Sequence, residues 1–191
     1  MQHLIIRTER LLLSRPTEAD LDDFVLQINS TGDFSKNLFN IPFPYPKENA
    51  ENWLQLCNAG IETGDSFRFA IREKEIGKLI GTIGLHLSKE HQKAELGYWL
   101  GTDYWGKGYL TEALKAVLQF GFDHVQLNKI YATHFVYNPA SGKVMQKVGM
   151  KFEGLLKQEY FHQGKFLDVN RYSVLKEDFQ PDILKLQHEL P

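Results

Sequence analysis

The chain of 191 residues holds a single cysteine, Cys57, which excludes an intrachain disulfide, a Cys-rich zinc site and a CxxC redox pair. No stretch approaches the roughly 20 apolar residues of a membrane span. In the opening MQHLIIRTERLLL, Arg7, Glu9 and Arg10 interrupt the apolar run before a signal-peptide core forms. An excess of positive charge is missing as well. Lys plus Arg number 22 against 24 Asp plus Glu, net −2, with a pI near 6.4 and no basic cluster, so neither a nucleic-acid nor a membrane partner is expected. A cytoplasmic protein is the default. Seven histidines occur, yet none pairs as HExxH, and neither a GxSxG elbow nor a GxxxxGK[ST] phosphate loop is found. Metal hydrolysis, a serine nucleophile and a P-loop therefore lack their residues, and no metal is expected.

What is present is ordinary for a globular protein, with 42% hydrophobic and 24% charged residues, which argues against long disordered regions. The length predicts one compact unit over residues 1–176 with a polar tail over 177–191 that is not a separate domain. Arg10 to Arg15 reads as a strand stopped by Pro16. Thr17-Glu18-Ala19-Asp20 then opens a helix, with Leu21, Phe24, Val25 and Ile28 on one face and its end near Asn29. Ile41 to Pro46 is too proline-rich for either regular element and reads as an extended, aromatic-bearing loop. Ala50, Trp53, Leu54, Cys57 and Ile61 fall at helical spacing before Gly64, which makes Cys57 a buried structural thiol rather than a nucleophile.

From Phe67 the period changes to two. Phe69 and Ile71, then KLIGTIGLHL to Leu87 and Ala94 to Leu100, predict an antiparallel meander. Helical spacing returns over Leu110 to Gly121, Lys129 to Val136 is strand-like, and Asn138 to Ser141 opens a short helix that Gly149 ends. Met150 to Phe161 and Phe166 to Leu175 form a predicted hairpin, and the polar tail from Glu177, interrupted by Pro181, reads as a short helix or partly ordered.

The segment Tyr104-Trp105-Gly106-Lys107-Gly108-Tyr109-Leu110-Thr111-Glu112-Ala113 lies between a strand and a helix. Glycines at such a junction let backbone N–H groups converge on a phosphate, aided by the positive helix end. They can equally serve only a tight turn. A dinucleotide fingerprint would want glycine at position 111, where this chain has threonine, and parallel strands.

Together with AELGYWL directly before it and NPASGKVMQKVGMKFEG after the next strand, this segment resembles the GNAT superfamily of acetyl-coenzyme A dependent N-acetyltransferases. The closer resemblance is to its RimJ/RimL group, which acetylates protein N-terminal amines, including those of ribosomal proteins. The similarity runs from ERLLLSRP to about Leu175. It implies an α+β fold with a central, mostly antiparallel twisted sheet of about six to seven strands flanked by about four helices. It also implies acetyl-CoA as co-substrate, and a homodimer is compatible with it.

By that resemblance the main-chain amides of Trp105, Gly106, Lys107, Gly108, Tyr109 and Leu110 hold the pyrophosphate. The family pattern begins with Gln or Arg and ends with Gly or Ala, where this chain has Trp105 and Leu110, so no side-chain contact from position 105 carries over. Thr111 either adds a hydroxyl or caps its helix. The Glu95 strand should splay from the Lys129 strand, freeing backbone groups at Leu96, Gly97 and Tyr98 for the pantetheine arm, with an amide near Gly97 or Tyr98 polarising the thioester carbonyl. Asn138 and Ser141 match the N-x-x-S pattern whose serine lies close to the cofactor sulfur; otherwise they are a turn residue and a helix cap. Many members carry a tyrosine acid seven residues after that asparagine. Met145 occupies the place here and cannot donate a proton, so the expectation shifts to Ser141 or a water.

Amine acetylation needs an acceptor for the ammonium proton. Glu95 and Glu159 are the two candidates, each equally readable as a solvated or salt-bridged strand carboxylate. Phe43, Tyr45 and Trp99 would shape an acceptor pocket, or simply pack. The leading reading is acetyl transfer to a peptide α-amine, of the kind a ribosomal protein N-terminus presents. A small-molecule amine such as an aminoglycoside, amino acid or polyamine is the alternative, and a non-catalytic acyl-CoA-binding module the rival from another class.

Overall fold

Period-two hydrophobic runs alternate with amphipathic helices along this chain, and the helices cover both faces of one sheet. The computed structural model describes residues 4–39, 41–180 and 187–189. The chain runs β1 (Ile5–Arg7), β2 (Leu11–Ser14), α1 (Leu21–Ile28), α2 (Asp33–Asn37), α3 (Lys47–Thr63), β3 (Ser66–Glu73), β4 (Leu79–Ser88) and β5 (Lys93–Leu100). It continues through α4 (Tyr109–Asp123), β6 (Lys129–Phe135), α5 (Pro139–Lys147), β7 (Lys151–His162), β8 (Lys165–Leu175) and β9 (Gln187–Glu189). The strand order is β7-β8-β6-β5-β4-β3-β2-β1-β9. Every neighbouring pair is antiparallel except β5 and β6.

Local chemistry sets the element ends. The Asp20 carboxylate accepts the Thr17 amide at 2.7 Å, as the T-E-A-D pattern predicts, and also pairs with Arg72 at 2.5 Å. Gly64 (φ 67°) and Gly149 (φ 86°) take the left-handed conformation that follows a helix at low cost only for glycine. Alternation along each strand divides the core in two. Leu85, Leu96, Ile130 and Ala132 face α4 and α5, with Ala113, Val117 and Met145 among their partners. Ala70, Leu79 and Trp99 face α1 and α3, against Phe24, Leu54 and Ala50. Within β5, therefore, Leu96 and Tyr98 look to α4 and α5, while Glu95, Gly97 and Trp99 look the other way.

The architecture is the expected mostly antiparallel α+β sheet, but nine strands and five α-helices are found among the described residues, in place of six to seven and four. Strands β1 and β9 are three residues each, too short to show a period. Helix α2 is five residues with one buried anchor, Phe34, so it has no periodicity to read. The tail is also corrected. Lys176–Asp178 forms a single 3₁₀ turn, and Gln187–Glu189 pairs antiparallel with β1 instead of forming a helix; residues 181–186 lie outside the described residues. Among the described residues no helix is long and apolar enough to cross a membrane.

Candidate active site

The β5–β6 ladder is parallel for only three pairs, Lys93 with Lys129, Ala94 with Ile130 and Glu95 with Tyr131. Beyond Glu95 the strands part, and the edge of β5 facing β6 has no ladder partner. A cavity of about 630 Å³ opens there and reaches both sides of the sheet. Among its lining residues are Glu95, Leu96, Gly97, Tyr98, Trp99, Trp105, Gly106, Gly108, Tyr109, Leu110, Thr111, Asn138 and Ser141. Residues from three separate stretches of the sequence thus meet at one opening.

On the α4 side, Gly106 (φ 74°) and Gly108 (φ 82°) hold the turn that starts the helix. Nothing lies within 4 Å of a Cβ built on Gly106 or Gly97, so both face open space. Among the described residues the amides of Gly106 through Thr111 donate to no acceptor, and they gather at the N-terminus of a 15-residue helix. Unpaired donors and the positive helix end make a cradle for a diphosphate. Trp105 does not enter it with its ring nitrogen, which donates to the Leu100 carbonyl at 2.6 Å.

This cradle is held from behind by the β1–β2 turn, over 102 positions of sequence. The Arg10 Nε donates to Glu112 Oε2 at 2.8 Å and the Arg10 amide to Glu112 Oε1 at 2.8 Å. Arg10 Nη1 donates to the Lys107 carbonyl at 2.9 Å, and the guanidinium lies 4.5 Å from the Tyr109 ring centroid. The Thr8 hydroxyl adds a 2.6 Å bond to Glu112. Burial alone would raise the Glu112 carboxyl, but the Thr8 and Arg10 donors outweigh it and hold the group below its usual range.

Deeper in, the Ser141 and Tyr98 hydroxyls are 2.8 Å apart. The Ser141 side chain thus bonds across to β5 rather than capping α5. Asn138 occupies the N-cap position of α5 but makes no side-chain capping bond. Gly142 lets the helix come this close, since a Cβ there would lie 2.5 Å from His134 Nε2. Met145 is buried in the core, so Tyr98 is the tyrosine hydroxyl at this point of the cavity. Burial pushes its ionisation up and keeps it protonated across the working range.

The opposite side of the sheet carries Glu95, with His86 beside it on β4 and Thr133 beside it on β6. Burial raises the Glu95 carboxyl, Arg171 and the Thr133 hydroxyl pull it back, and the charge of Glu159 adds to the rise. Burial likewise lowers His86, with Arg68 acting in the same direction. Phe39, Phe135 and Tyr160 ring this end, with Phe39 to Tyr160 at 4.6 Å and Phe39 to Phe135 at 5.3 Å between centroids.

Four of the sequence candidates are not brought to the cavity wall. Lys107 contributes its carbonyl to Arg10, with its ammonium 5.7 Å from the Tyr104 ring. Glu159 lies 3.5 Å from Arg171. Phe43 is half exposed on its loop beside Gly32, and Tyr45 is buried against Phe24. Trp99 lines the cavity while packing edge-on against Phe24 and Phe34. The sequence reading missed Arg10, Glu112, the Tyr98 hydroxyl and the three-ring collar. No spacing signal could have joined them, because each pair is long-range. Cys57 is fully buried on α3 with its thiol pushed up to about 11, which suits a structural role. Among the described residues no group of three His, Cys, Asp or Glu is placed to hold a metal.

Residues 10–151 match the family model for the acetyltransferase (GNAT) domain, and the chain belongs to that family. It is 34% identical over 173 residues to the uncharacterized N-acetyltransferase p20 of Bacillus licheniformis, covering 90% of this chain and 96% of that one. The ribosomal-protein-serine acetyltransferase of Escherichia coli K12 is 33% identical over 97 residues, 50% of this chain and 54% of that one. Among solved structures, spermidine N-acetyltransferase from Vibrio cholerae in complex with CoA and spermine superposes with a TM-score of 0.73 at 25% identity, over 88% of this chain and 97% of that one. The chain is an N-acetyltransferase of the GNAT fold.

Proposed function

We propose that the protein moves the acetyl group of acetyl-CoA to a primary amine by direct attack, and that the acceptor is the N-terminal α-amine of a protein or peptide. The observation that carries this reading is the cavity through the β5–β6 fork, with a diphosphate cradle at Gly106 to Thr111 on one side and the Glu95 carboxylate on the other. Acetyl-CoA supplies an activated thioester carbonyl. The unpaired β5 edge at Leu96 to Tyr98 would align the pantetheine arm, and an amide there would bind the carbonyl oxygen as negative charge develops on it. Glu95 would take the proton released by the amine as its nitrogen bonds the carbonyl carbon, and its raised carboxyl suits a base working near neutral pH. Ser141, backed by Tyr98, would donate a hydrogen bond to the departing sulfur, which leaves as the thiolate and takes a proton from water, while Glu95 returns its proton to solvent.

An α-amine titrates near ~7.7–8.0 and a lysine or alkyl amine near ~10.4, so the α-amine presents far more neutral nucleophile and asks less of one carboxylate. The name of the E. coli relative supports a ribosomal-protein acceptor, and that of the V. cholerae structure the polyamine alternative. Incubation with acetyl-CoA and a panel of peptides, amino acids, aminoglycosides and polyamines, read by mass spectrometry of the products, tests the reading. Acetylation confined to small amines would overturn the peptide assignment, and no product with any amine the whole proposal.

A further inference from the structure

The aromatic end of the cavity is built from three distant elements. Phe39 follows α2, Phe135 ends β6 and Tyr160 lies near the end of β7. Phe39 is the central ring, 4.6 Å from Tyr160 and 5.3 Å from Phe135. Outer contacts fix its segment in place. The Tyr137 hydroxyl donates to the Lys36 carbonyl at 2.7 Å, and His162 and Gln163 bond the Ser35 carbonyl at 3.0 and 2.9 Å. Helix α2 is thus tied over the Glu95 end of the cavity, and Phe39 adds apolar surface there beside Tyr160, with Phe135 packed behind it at 3% exposure. Phe39 is 41% exposed, an unusual position for a ring making three aromatic contacts, and it faces the same opening as Glu95.

Charge lining that opening is sparse; Glu159, whose charge reaches Glu95, lies outside the lining, 3.5 Å from Arg171. Among the described lining residues the carboxylates are Glu95 and Asp33, and Asp33 is already paired with Lys36 at 2.9 Å. A polyamine would have to place its second and third ammonium groups against rings or against Lys147. Losing water there without a counter-charge costs more than the attraction of a cation to a ring face returns. A single ammonium beside Glu95, with an apolar group against the rings, meets no such penalty.

We propose that Phe39, Phe135 and Tyr160 form an acceptor collar that selects a singly charged primary amine bearing a large apolar group on the adjacent carbon, the class represented by peptides that begin with leucine, methionine or phenylalanine. This rests on the acetyl-transfer reading above and narrows it. An apolar pocket discriminates by the surface it covers, and even one methylene is worth about tenfold or more.

Tetrapeptides identical except for a first residue of Phe, Leu, Ser or Gly, together with spermidine, are compared as acceptors through thiol release from acetyl-CoA. The Phe and Leu peptides should exceed the Ser and Gly peptides in kcat/KM by about tenfold or more, with spermidine lowest. Phe39→Ala should lower kcat/KM for the Leu peptide by about tenfold and for the Ser peptide by less, so that the preference for Leu shrinks. Equal or better use of the Ser or Gly peptide, or spermidine as the best acceptor, overturns the collar while leaving acetyl transfer intact. Thiol release with none of the amines overturns both. The series on the unmodified protein decides the matter even if the variant fails to fold.

Discussion

The hydroxyls of Tyr98 and Ser141, on a strand and a helix 43 positions apart, meet at 2.8 Å inside the cavity. Met145 is buried in the core, and the tyrosine hydroxyl beside Ser141 comes instead from β5. Ser141→Ala should lower kcat by up to about 10²-fold and leave the KM for acetyl-CoA within a few-fold. Tyr98→Phe keeps the ring and should lower kcat by about tenfold, with no new alkaline inflection in the pH profile. Steady-state rates from pH 6 to 9 check both. If the hydroxyl pair only holds α5 to β5, both variants will melt earlier and turn over at the parental kcat.

Glu95 carries a second expectation, drawn from its raised carboxyl. A general base works as the carboxylate, so kcat/KM should rise with pH along an ionisation above the usual glutamate value of ~4.3. Glu95→Gln should remove that ionisation and about 10²-fold of the rate. The sign for stability is opposite. A native state that raises a carboxyl's pKa is favoured while the group is protonated, and the advantage is lost as pH climbs through the native value. At neutral pH Glu95→Gln should therefore melt no lower than the parent. Glu159→Gln, away from the cavity wall, should stay within a few-fold of the parental rate.

The Arg10–Glu112 pair should act on cofactor affinity. Arg10→Ala removes the bonds to Glu112 and the Lys107 carbonyl together, and should raise the KM for acetyl-CoA by about tenfold with kcat within a few-fold. Arg10→Lys keeps the charge without the fork and should fall between the two. Glu112 is held below its usual range, so its contribution to stability is present above the unfolded value of ~4.3 and is lost as pH falls through the lower native value. Thermal melts of Glu112→Gln and parent should differ at pH 7 and converge at acid pH.

Cys57 gives the simplest test. A thiol pushed up to about 11 is roughly 10⁻³ ionised at pH 8, and this one is fully buried. An aromatic disulfide reagent should leave the native protein unlabelled over minutes and react fully once denaturant is added. Rapid labelling of the native state would place Cys57 on an accessible surface.

Much of the framework was legible from local pattern. The long strands, the helices over Ala50 to Ile61 and Leu110 to Gly121, and the closing glycines follow from period and from backbone freedom, both written in neighbouring residues. The glycine turn at Gly106 and Gly108 was legible for the same reason, since it and the helix it opens are consecutive in the chain. Short elements were not. Strand β1, helix α2 and strand β9 have too few residues to carry a period, and their partners lie far away in sequence.

By itself, the sequence determined which residues can bury, bend or donate, and from these the sheet, its flanking helices and the loop at Gly106 to Gly108. Tertiary structure alone decided which of the candidate groups meet. Two glutamates of equal standing in sequence were separated because alternation along β5 turns Glu95 into the β5–β6 fork, while Glu159 is left beside Arg171. Of the aromatic residues, Phe43 and Tyr45 lie off the cavity wall and Phe39, Phe135 and Tyr160 line it, because tertiary packing brings three distant elements together there. The physical reason is range. Propensity and period act over a few neighbouring residues, whereas a site is assembled by core packing from segments more than a hundred residues apart, and no local term encodes that distance.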